Sequence, residues 1–374
     1  MTDPRLHRLG AELPVRGEPT TKAVAFDLEL GELTANGATP WIASVGLGTP
    51  PQPLNFTVDT GTINTWITST KCTTQACLAH GRFDPETSAT YQVVDPKPQQ
   101  VNFGPWGTMT VVVGKDVFTL KQIFPDSEPP VTLREPLKIQ LATQYGGSQF
   151  LELAWDGGLA VPSIPVSGRD QPGELLPQLK EEGLIEWAIA SFWLDPGAQR
   201  GECLFGAVDP SKFDPETLNV IPLLPTRSRG LDYLWAVFLE QFTCGGRVIL
   251  ENAKFALDSG SSWFKGNARI IGKLVKAITD DGRLPTQVRD PAALAQYPDV
   301  ALSLNGVSYC FTPQQYFLRI PPGGDRWVLG FHVLEGMPEN LLLVGSLFME
   351  RVYSVFFYET GIPDVKAIVL AAAR

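Results

Sequence analysis

One short pattern occurs twice in this chain, as Phe56-Thr57-Val58-Asp59-Thr60-Gly61-Thr62 and as Phe255-Ala256-Leu257-Asp258-Ser259-Gly260-Ser261. In each copy an apolar run ends on a carboxylate, and a hydroxyl residue, a glycine and a second hydroxyl residue follow. An ionisable Asp at the end of an apolar strand is costly to bury unless hydrogen bonds compensate it. The neighbouring hydroxyls can supply those bonds, and the glycine lets the backbone turn tightly.

Either copy alone is ordinary turn chemistry, because Asp, Ser, Thr and Gly are common turn residues. Two copies in matching apolar contexts, one in each half of a 374-residue chain, instead indicate a duplicated, two-lobed protein. If the two loops face each other, Asp59 and Asp258 meet at one point. Two carboxylates that close cannot both ionise easily, so they would share a proton and act as an acid and a base.

Beyond these loops the chain resembles the pepsin-like aspartic proteases over about residues 40–360. The resemblance rests on an entry strand and turn, an Asn-x-Trp-aliphatic motif, a pair of cysteines with the segment after them, and an apolar-apolar-Gly element near the C-terminus. These are Val45-Gly46-Leu47-Gly48-Thr49-Pro50-Pro51-Gln52, Asn64-Thr65-Trp66-Ile67, Cys72 and Cys77 with 83–91, and Leu342-Leu343-Val344-Gly345-Ser346-Leu347-Phe348.

This resemblance implies an all-β, two-lobed, pepsin-like acid protease fold with a few short helices and the active-site cleft between the lobes. We expect a flexible N-terminal arm over 1–22, an N-terminal β lobe over 23–200 with Asp59 and the flap, and a C-terminal β lobe over 201–374 with Asp258. The linker between the lobes is expected within about 196–226.

The composition agrees with a sheet-rich fold, since 44% hydrophobic and 19% charged residues can bury a large core while 35 Gly and 32 Pro favour many turns. Apolar runs bounded by turn residues predict strands at Trp41–Leu47, Leu54–Val58, Thr108–Val113, Ala188–Leu194, Trp235–Phe242, Val248–Leu257 and Tyr353–Tyr358. Helical patterns occur at Glu174–Glu182, where Pro177 is a constraint, and at Asn267–Ile278.

Several partner classes are disfavoured by the sequence. The formal charge of −10 argues against nucleic acid, and no stretch of 18 apolar residues predicts a membrane span. With three His, no Cys-x-x-Cys and no glycine-rich phosphate loop, we expect no metal and no cofactor. The first residues lack the apolar stretch of a secretory signal, so the chain is expected in the cytoplasm unless it derives from a secreted or vacuolar precursor. We expect a monomer.

Five cysteines are present. Cys72 and Cys77 lie where the family has a small disulfide loop, and the resemblance implies that they pair. Cys203, Cys244 and Cys310 are expected to be buried thiols, although an unpaired thiol is unusual in a secreted protein.

The family mechanism, carried over to this chain, gives Asp59 and Asp258 the catalytic roles. One ionised carboxylate takes a proton from a water between them, and the other, protonated, polarises the substrate carbonyl. Thr60 and Ser259 occupy the positions whose hydroxyls brace the two loops against each other, next to Gly61 and Gly260. By the same resemblance, Thr62 and Ser261 hydrogen-bond the outer carboxylate oxygens.

The flap departs from the family pattern. The family has a Tyr in a Tyr-Gly-x-Gly context over the cleft, with its hydroxyl near the conserved Trp, whereas this chain has Asn102-Phe103-Gly104-Pro105-Trp106-Gly107-Thr108. Phe103 keeps the ring and loses the hydrogen bond to the Trp66 indole. Candidate substrate-binding residues are Phe103, Gly104, Trp106, Trp66, Phe124 and Trp263.

A second departure follows Trp155. The family has an Asp-Gly-apolar-apolar-Gly run that backs the first catalytic loop, and this chain has Asp156-Gly157-Gly158-Leu159-Ala160. Either the correspondence is shifted, or the support of the first loop is altered.

Three functions are consistent with these observations. The leading hypothesis is an aspartic endopeptidase that acts on polypeptides between bulky apolar residues and works best below neutral pH. An enzyme that uses the Asp pair for isomerisation or cyclisation of a small apolar metabolite is the alternative, favoured by the missing signal and the altered flap. A non-catalytic binding protein is the third, which two intact Asp-hydroxyl-Gly loops disfavour.

Overall fold

The structure is a computed structural model that describes residues 9–34, 36–103, 107–121, 124, 128–165, 173–224, 230–279, 288–320, 326–359 and 366–374. It is mostly strand (46%) with few short helices (15%), arranged in multiple sheets. The predicted all-β, two-lobed pepsin-like fold is therefore confirmed.

The larger sheet contains strands from the first half of the chain and from its C-terminus. These are β1 (Val24–Leu30), β2 (Trp41–Leu47), β3 (Gln52–Asp59), β4 (Trp66–Thr68), β5 (Gln92–Asn102), β6 (Thr108–Asp116), β7 (Phe118–Leu120), β8 (Val131–Thr132), β9 (Leu137–Tyr145), β10 (Gly157–Ala160), β11 (Ile189–Asp195), β12 (Arg200–Phe205), β13 (Asn219–Pro222), β23 (Val352–Phe357) and β24 (Ala367–Ala372).

A second sheet belongs to the second half of the chain. It consists of β14 (Trp235–Cys244), β15 (Arg247–Leu257), β16 (Phe264–Gly266), β17 (Val300–Leu304), β18 (Val307–Phe311), β21 (Phe331–Val333) and β22 (Leu341–Val344). β19 (Phe317–Arg319) and β20 (Trp327–Leu329) form a separate hairpin.

The strands arise where the sequence alternates between apolar and polar residues. In β2 the side chains of Trp41, Ala43 and Val45 are buried, and those between them are half-buried, as a period of two requires. Each strand predicted from the sequence is present, with ends that differ by a few residues. One apolar core continues through both sheets and includes Phe56, Leu159 and Val344.

The helices are short. They are α1 (Gln75–Leu78), α2 (Leu175–Glu181), α3 (Ala268–Thr279), α4 (Pro313–Tyr316) and α5 (Ser346–Met349), with 3-10 turns at Ser148–Glu152, Pro210–Lys212, Pro215–Thr217 and Pro291–Gln296. α3 buries one apolar face, as its sequence pattern predicted, and α2 accommodates Pro177 in its first turn, where no backbone N–H is needed. No helix in the described ranges is long and apolar enough to cross a membrane.

The halves of the chain are interleaved rather than simply consecutive. β23 pairs with β11, so strands from the C-terminus extend the sheet that carries the first catalytic loop. The boundary that we expected between residues 200 and 201 lies within β12, after its first residue, Arg200. The N-terminal arm, expected to be flexible, is packed in its described part: Leu9 is buried, Val15 bridges Val208, and the Arg16 guanidinium contacts Glu202 at 2.8 Å.

Cys72 and Cys77 form the disulfide that the resemblance implied. Cys203 and Cys244 are buried thiols, as expected. The expectation for Cys310 was wrong. Its side chain is exposed, because it faces outward on β18, a strand at the edge of the second sheet.

Candidate active site

The loop that carries Asp59 begins at the end of β3. β10 pairs with β3 in parallel, with Gly157 opposite Phe56 and Ala160 opposite Asp59, and β10 also pairs antiparallel with β4. The Asp59 carbonyl accepts a hydrogen bond from the Val161 N–H at 2.8 Å. Asp59 is therefore the last residue of β3, and its backbone is fixed by hydrogen bonds to the end of β10.

The second loop repeats this framework. β22 pairs with β15 in parallel, with Leu342 opposite Phe255 and Val344 opposite Leu257, and β16 pairs antiparallel with β22. The Asp258 N–H donates to the Val344 carbonyl at 2.9 Å. The duplicated sequence pattern thus corresponds to a duplicated arrangement of three strands.

The second residues of the two motifs, Thr60 and Ser259, brace the loops against each other. The Thr60 N–H donates to Ser259 Oγ at 3.0 Å, and the Ser259 N–H donates to Thr60 Oγ1 at 2.9 Å. Each hydroxyl then donates across to the facing strand, Thr60 to the Leu257 carbonyl at 3.1 Å and Ser259 to the Val58 carbonyl at 2.6 Å. All four groups are buried, so these bonds fix the relative position of the loops.

The glycines allow the carboxylates to approach the facing loop. A Cβ atom on Gly61 would lie 2.3 Å from Asp258 Oδ1, and one on Gly260 would lie 2.4 Å from Asp59 Oδ1. Neither distance is sterically possible, so any other residue would push the carboxylates apart. Each carboxyl therefore packs directly against the glycine of the facing loop.

The two carboxylates differ in their remaining hydrogen bonds. Asp258 accepts from the Gly260 N–H at 2.9 Å and from Ser261 Oγ at 2.5 Å. Asp59 accepts from the Gly61 N–H at 2.7 Å. We expected the Thr62 hydroxyl to donate a hydrogen bond to Asp59, and among the described residues this bond is absent. Thr62 Oγ1 instead faces Asn64 and accepts from its backbone N–H at 3.1 Å.

The environment favours a proton on Asp59. Burial raises the pKa of Asp59 well above its ordinary value, and the nearby Asp258 charge raises it further. The Gly61 N–H and the Lys265 cation act in the opposite direction and do not offset these effects. The pKa of the neighbouring Tyr233 is raised to about 12 by burial and by the charges of both aspartates.

Both carboxylates line a cavity of about 450 Å³ between the two sheets. Aromatic and aliphatic side chains form about half of its walls, and polar groups, including both carboxyls, Lys265 and Glu335, form the rest. Its lining includes Asp59, Gly61, Thr62, Asn64, Trp66, Asn102, Phe103, Phe150, Leu153, Trp155, Leu231, Tyr233, Leu234, Asp258, Gly260, Ser261, Lys265, Leu334, Glu335, Met337 and Leu343.

On the flap side, Phe103 and Trp66 meet edge to face with ring centroids 5.8 Å apart. Phe150 and Trp155 complete an aromatic cluster around the Trp66 indole. No described residue accepts a hydrogen bond from that indole N–H, which agrees with the missing tyrosine hydroxyl. Gly104 and Trp106, which were expected to contact substrate, lie outside the described residues.

Two further residues expected to bind substrate are placed elsewhere. Phe124 is not among the described residues that line the cavity; its ring lies under the Arg200 guanidinium and its backbone N–H donates to Asp27. Trp263 directs its ring toward His332, with centroids 5.3 Å apart, and is also not part of the described lining. Both residues lie in bends outside the strands, where the direction of a side chain depends on the tertiary fold and not on a local sequence period.

The segment that departs from the family pattern takes the expected position in the fold. Gly157 pairs with both β3 and β4, and a Cβ atom there would lie 2.2 Å from the Trp66 carbonyl oxygen. A Cβ atom on Gly158 would lie 3.1 Å from the Trp66 indole nitrogen. The segment therefore takes the place of the family's run beside β3 and β4, and Gly158, where the family has an apolar residue, leaves room for the Trp66 indole. Asp156 anchors the segment by accepting from the backbone N–H groups of Asn55 and Gly81.

Sequence reasoning missed several cavity residues, namely Phe150, Leu153, Trp155, Tyr233 and Lys265. For one of them a signal was present. Lys265 follows Asp258 at the same interval at which Trp66 follows Asp59. The others come from distant segments, and only the fold brings them to the dyad. Among the described residues, no group of three or more His, Cys, Asp or Glu side chains could hold a metal ion.

Comparison with known proteins agrees with this geometry. A family model described as eukaryotic aspartyl protease matches residues 40–365. Cathepsin E-A of Xenopus laevis is 30% identical over 331 residues, which cover 84% of this chain and 76% of that protein. Pepsin A of Canis lupus familiaris is 27% identical over 328 residues, covering 84% and 78%. Cathepsin E of Rattus norvegicus is 30% identical over 329 residues, covering 84% and 77%.

Proposed function

Because this chain belongs to the eukaryotic aspartyl protease family, we propose that it is an aspartic endopeptidase that hydrolyses peptide bonds with a water held between Asp59 and Asp258. The observation that carries this proposal is the placement of the two carboxyls, each packed against the glycine of the facing loop, on two loops of matching structure that brace each other. Both aspartates come from one chain, so a monomer suffices for catalysis.

The hydrogen bonds suggest a role for each carboxyl. Asp258, held by the Gly260 N–H and the Ser261 hydroxyl, carries the negative charge and takes a proton from the water. Asp59, whose pKa is raised, holds the shared proton and donates it to the carbonyl oxygen as the water attacks. As the tetrahedral intermediate collapses, Asp258 gives its proton to the leaving nitrogen and Asp59 takes a proton back from a hydroxyl of the intermediate, which restores the starting state of the dyad. No bond forms between the enzyme and the substrate.

The walls of the cavity support a preference for bulky apolar residues beside the scissile bond. Trp66, Phe103 and Phe150 form one wall, while Leu334 and Met337 contribute to another. Aromatic and aliphatic side chains of a peptide lose contact with water when they pack against these walls.

A second candidate is acid–base chemistry on a small apolar molecule, such as an isomerisation or a cyclisation. The observation that favours it is Phe103. With no hydroxyl at this position, the flap presents an entirely apolar face toward Trp66. Such a face suits an apolar ligand and lacks the oriented bond of the family's tyrosine.

The test is cleavage of an unstructured protein across a pH series from acidic to neutral, with and without pepstatin, a transition-state mimic for this family. We expect cleavage that is greatest below neutral pH and is abolished by pepstatin. Asp258→Asn protein, purified in parallel, controls for contaminating proteases. Absence of cleavage at every pH, in protein shown to be folded, would overturn the endopeptidase proposal and leave the small-molecule enzyme or a binding protein.

A further inference from the structure

Lys265 occupies the position in the second half that Trp66 occupies in the first. Trp66 lies opposite Gly158 on the strand that backs the Asp59 loop, and Lys265 lies opposite Leu343 on the strand that backs the Asp258 loop. Both side chains line the cavity that holds the dyad. The duplicated framework therefore places an indole on one side of the dyad and an ammonium group on the other.

The Lys265 ammonium is held in place. The residue is 3% exposed, and its Nζ donates to the Gly37 carbonyl at 2.9 Å. Gly37 belongs to a segment that docks on the Asp258 loop, since its carbonyl also accepts from the Ser262 N–H and the Thr39 N–H donates to the Gly260 carbonyl. A buried ammonium is costly unless negative charge compensates it.

The compensating charge is that of the dyad. Burial lowers the pKa of Lys265 to about 8, and the charges of Asp258 and Asp59 act to raise it. The other titratable groups that face this region are His332, which lies opposite Lys265 on β21 and whose pKa is lowered by burial and by the Lys265 charge, and the cavity residues Tyr233 and Glu335. At acidic and neutral pH, Lys265 is thus a buried cation in the same cavity as the two carboxyls.

We propose that Lys265 is a positioning residue of the hydrolytic reaction: its fixed positive charge stabilises the singly ionised dyad and moves the pH range of activity toward acid. The inference rests on the proposed endopeptidase function. A nearby cation favours ionised carboxylates, so both ionisations of the dyad occur at lower pH than they would without it. The first sets the acidic limit of activity and the second, which removes the shared proton, sets the alkaline limit.

Two substitutions separate charge from hydrogen bonding. Lys265→Met removes both the charge and the donor to Gly37, whereas Lys265→Gln removes the charge and retains an N–H donor. We expect both variants to move the two limits of the pH–rate profile upward by about one pH unit, the low end of the effect of a neighbouring opposite charge. Lys273→Met is the matched control, because Lys273 is exposed on α3 and its loss should leave the profile unchanged.

The same comparison in a His332→Gln background removes the titratable side chain that lies opposite Lys265 on β21, and the shift should persist. A normal profile in Lys265→Gln together with an impaired Lys265→Met would overturn the proposal, because the hydrogen bond and not the charge would then matter. Failure of both variants to fold, judged by thermal unfolding, would also overturn it in favour of a structural role.

A readout without substrate distinguishes this inference from the proposed function. Carboxyl carbon NMR of ¹³C-labelled aspartate, with resonances assigned from Asp59→Asn and Asp258→Asn, follows the titration of the dyad directly. We expect the dyad to titrate about one pH unit higher in Lys265→Gln than in the wild type. If the wild type cleaves no peptide and this shift is present, the endopeptidase proposal fails and the role of Lys265 stands. An unchanged titration overturns that role whatever the activity.

Discussion

The two halves of the active site share one backbone arrangement and differ in the side chains around it. In each half an Asp ends a strand that is paired in parallel with a second strand, which is in turn paired antiparallel with a third. Around Asp59 the equivalent positions carry Gly158 and Trp66, and around Asp258 they carry Leu343 and Lys265.

This difference shows which features the chemistry demands of both halves. The braced hydroxyls and the glycines are duplicated, because any change there would move the carboxylates apart. The side chains that flank each loop do not set the distance between the two carboxylates, so they can differ between the halves. The first half provides an aromatic wall under the flap, and the second provides a buried cation and a hydroxyl donor to its carboxylate.

The largest effect is expected where the halves are equivalent. Asp59→Asn and Asp258→Asn should each lower turnover by at least about 100-fold, because an amide cannot replace the missing acid or base. The measurement is kcat on a peptide that the wild type cleaves. A variant that retains more than about a tenth of wild-type turnover would remove the shared-proton mechanism from consideration.

Urea unfolding provides the control for that experiment. The native state holds a proton on Asp59 that the unfolded chain loses above the ordinary pKa of 3.8, so Asp59 lowers the free energy of unfolding as pH rises from there toward its raised pKa. Asn cannot ionise and does not carry this cost. Asp59→Asn should therefore be at least as stable as the wild type at pH 7, with a smaller difference at pH 4.

A second substitution pair tests the asymmetry of the hydroxyls. Ser261→Ala removes a hydrogen bond to a charged carboxylate, worth about 1.5–3 kcal/mol, and should lower kcat/KM roughly 10- to 100-fold. Thr62→Ala removes only a contact with Asn64 and should cost less than about fivefold. Equal losses in steady-state assays would show that the two carboxylates are supported alike during the reaction, contrary to the structure.

The glycines behind the first loop can be tested by making the halves more alike. Gly157→Ala adds a methyl group 2.2 Å from the Trp66 carbonyl oxygen, whereas the second half carries Leu342 at the equivalent position. We expect this change to lower the free energy of unfolding by about 1–3 kcal/mol. Gly272→Ala, in open space on α3, is the control and should raise it by about 0.5–1 kcal/mol. An unchanged urea midpoint for Gly157→Ala would refute the close packing.

The smallest effect concerns the flap. Phe103→Tyr places a hydroxyl near the Trp66 indole, which has no acceptor among the described residues, and should leave peptide hydrolysis unchanged or raise it by up to roughly tenfold. If the cavity instead closes over an apolar small molecule, the new hydroxyl must be desolvated and activity on that ligand should fall. Assays of both proteins on a peptide library at acidic pH decide between these outcomes, since a fall in peptide cleavage contradicts the first.

Much of the fold and the centre of the site followed from local sequence. Apolar alternation located the strands, and the repeated Asp-hydroxyl-Gly motif located Asp59 and Asp258, because period and motif are properties of adjacent residues. The cavity walls did not follow in the same way. Phe124 was expected there and instead lies under Arg200, while Phe150 and Trp155 were overlooked and line the cavity.

The sequence by itself determined the repeated Asp-hydroxyl-Gly motif, its two aspartates and the positions of many strands, because motif and apolar period are properties of neighbouring residues. The all-β, two-lobed fold and the Cys72–Cys77 pair followed from the family resemblance. Only the tertiary structure decided that Thr62 turns toward Asn64 and that Lys265 is buried beside the dyad with its ammonium on the Gly37 carbonyl. Burial, charge neighbours and hydrogen-bond partners depend on residues far apart in the chain. They are therefore fixed only when the two halves meet around the cavity.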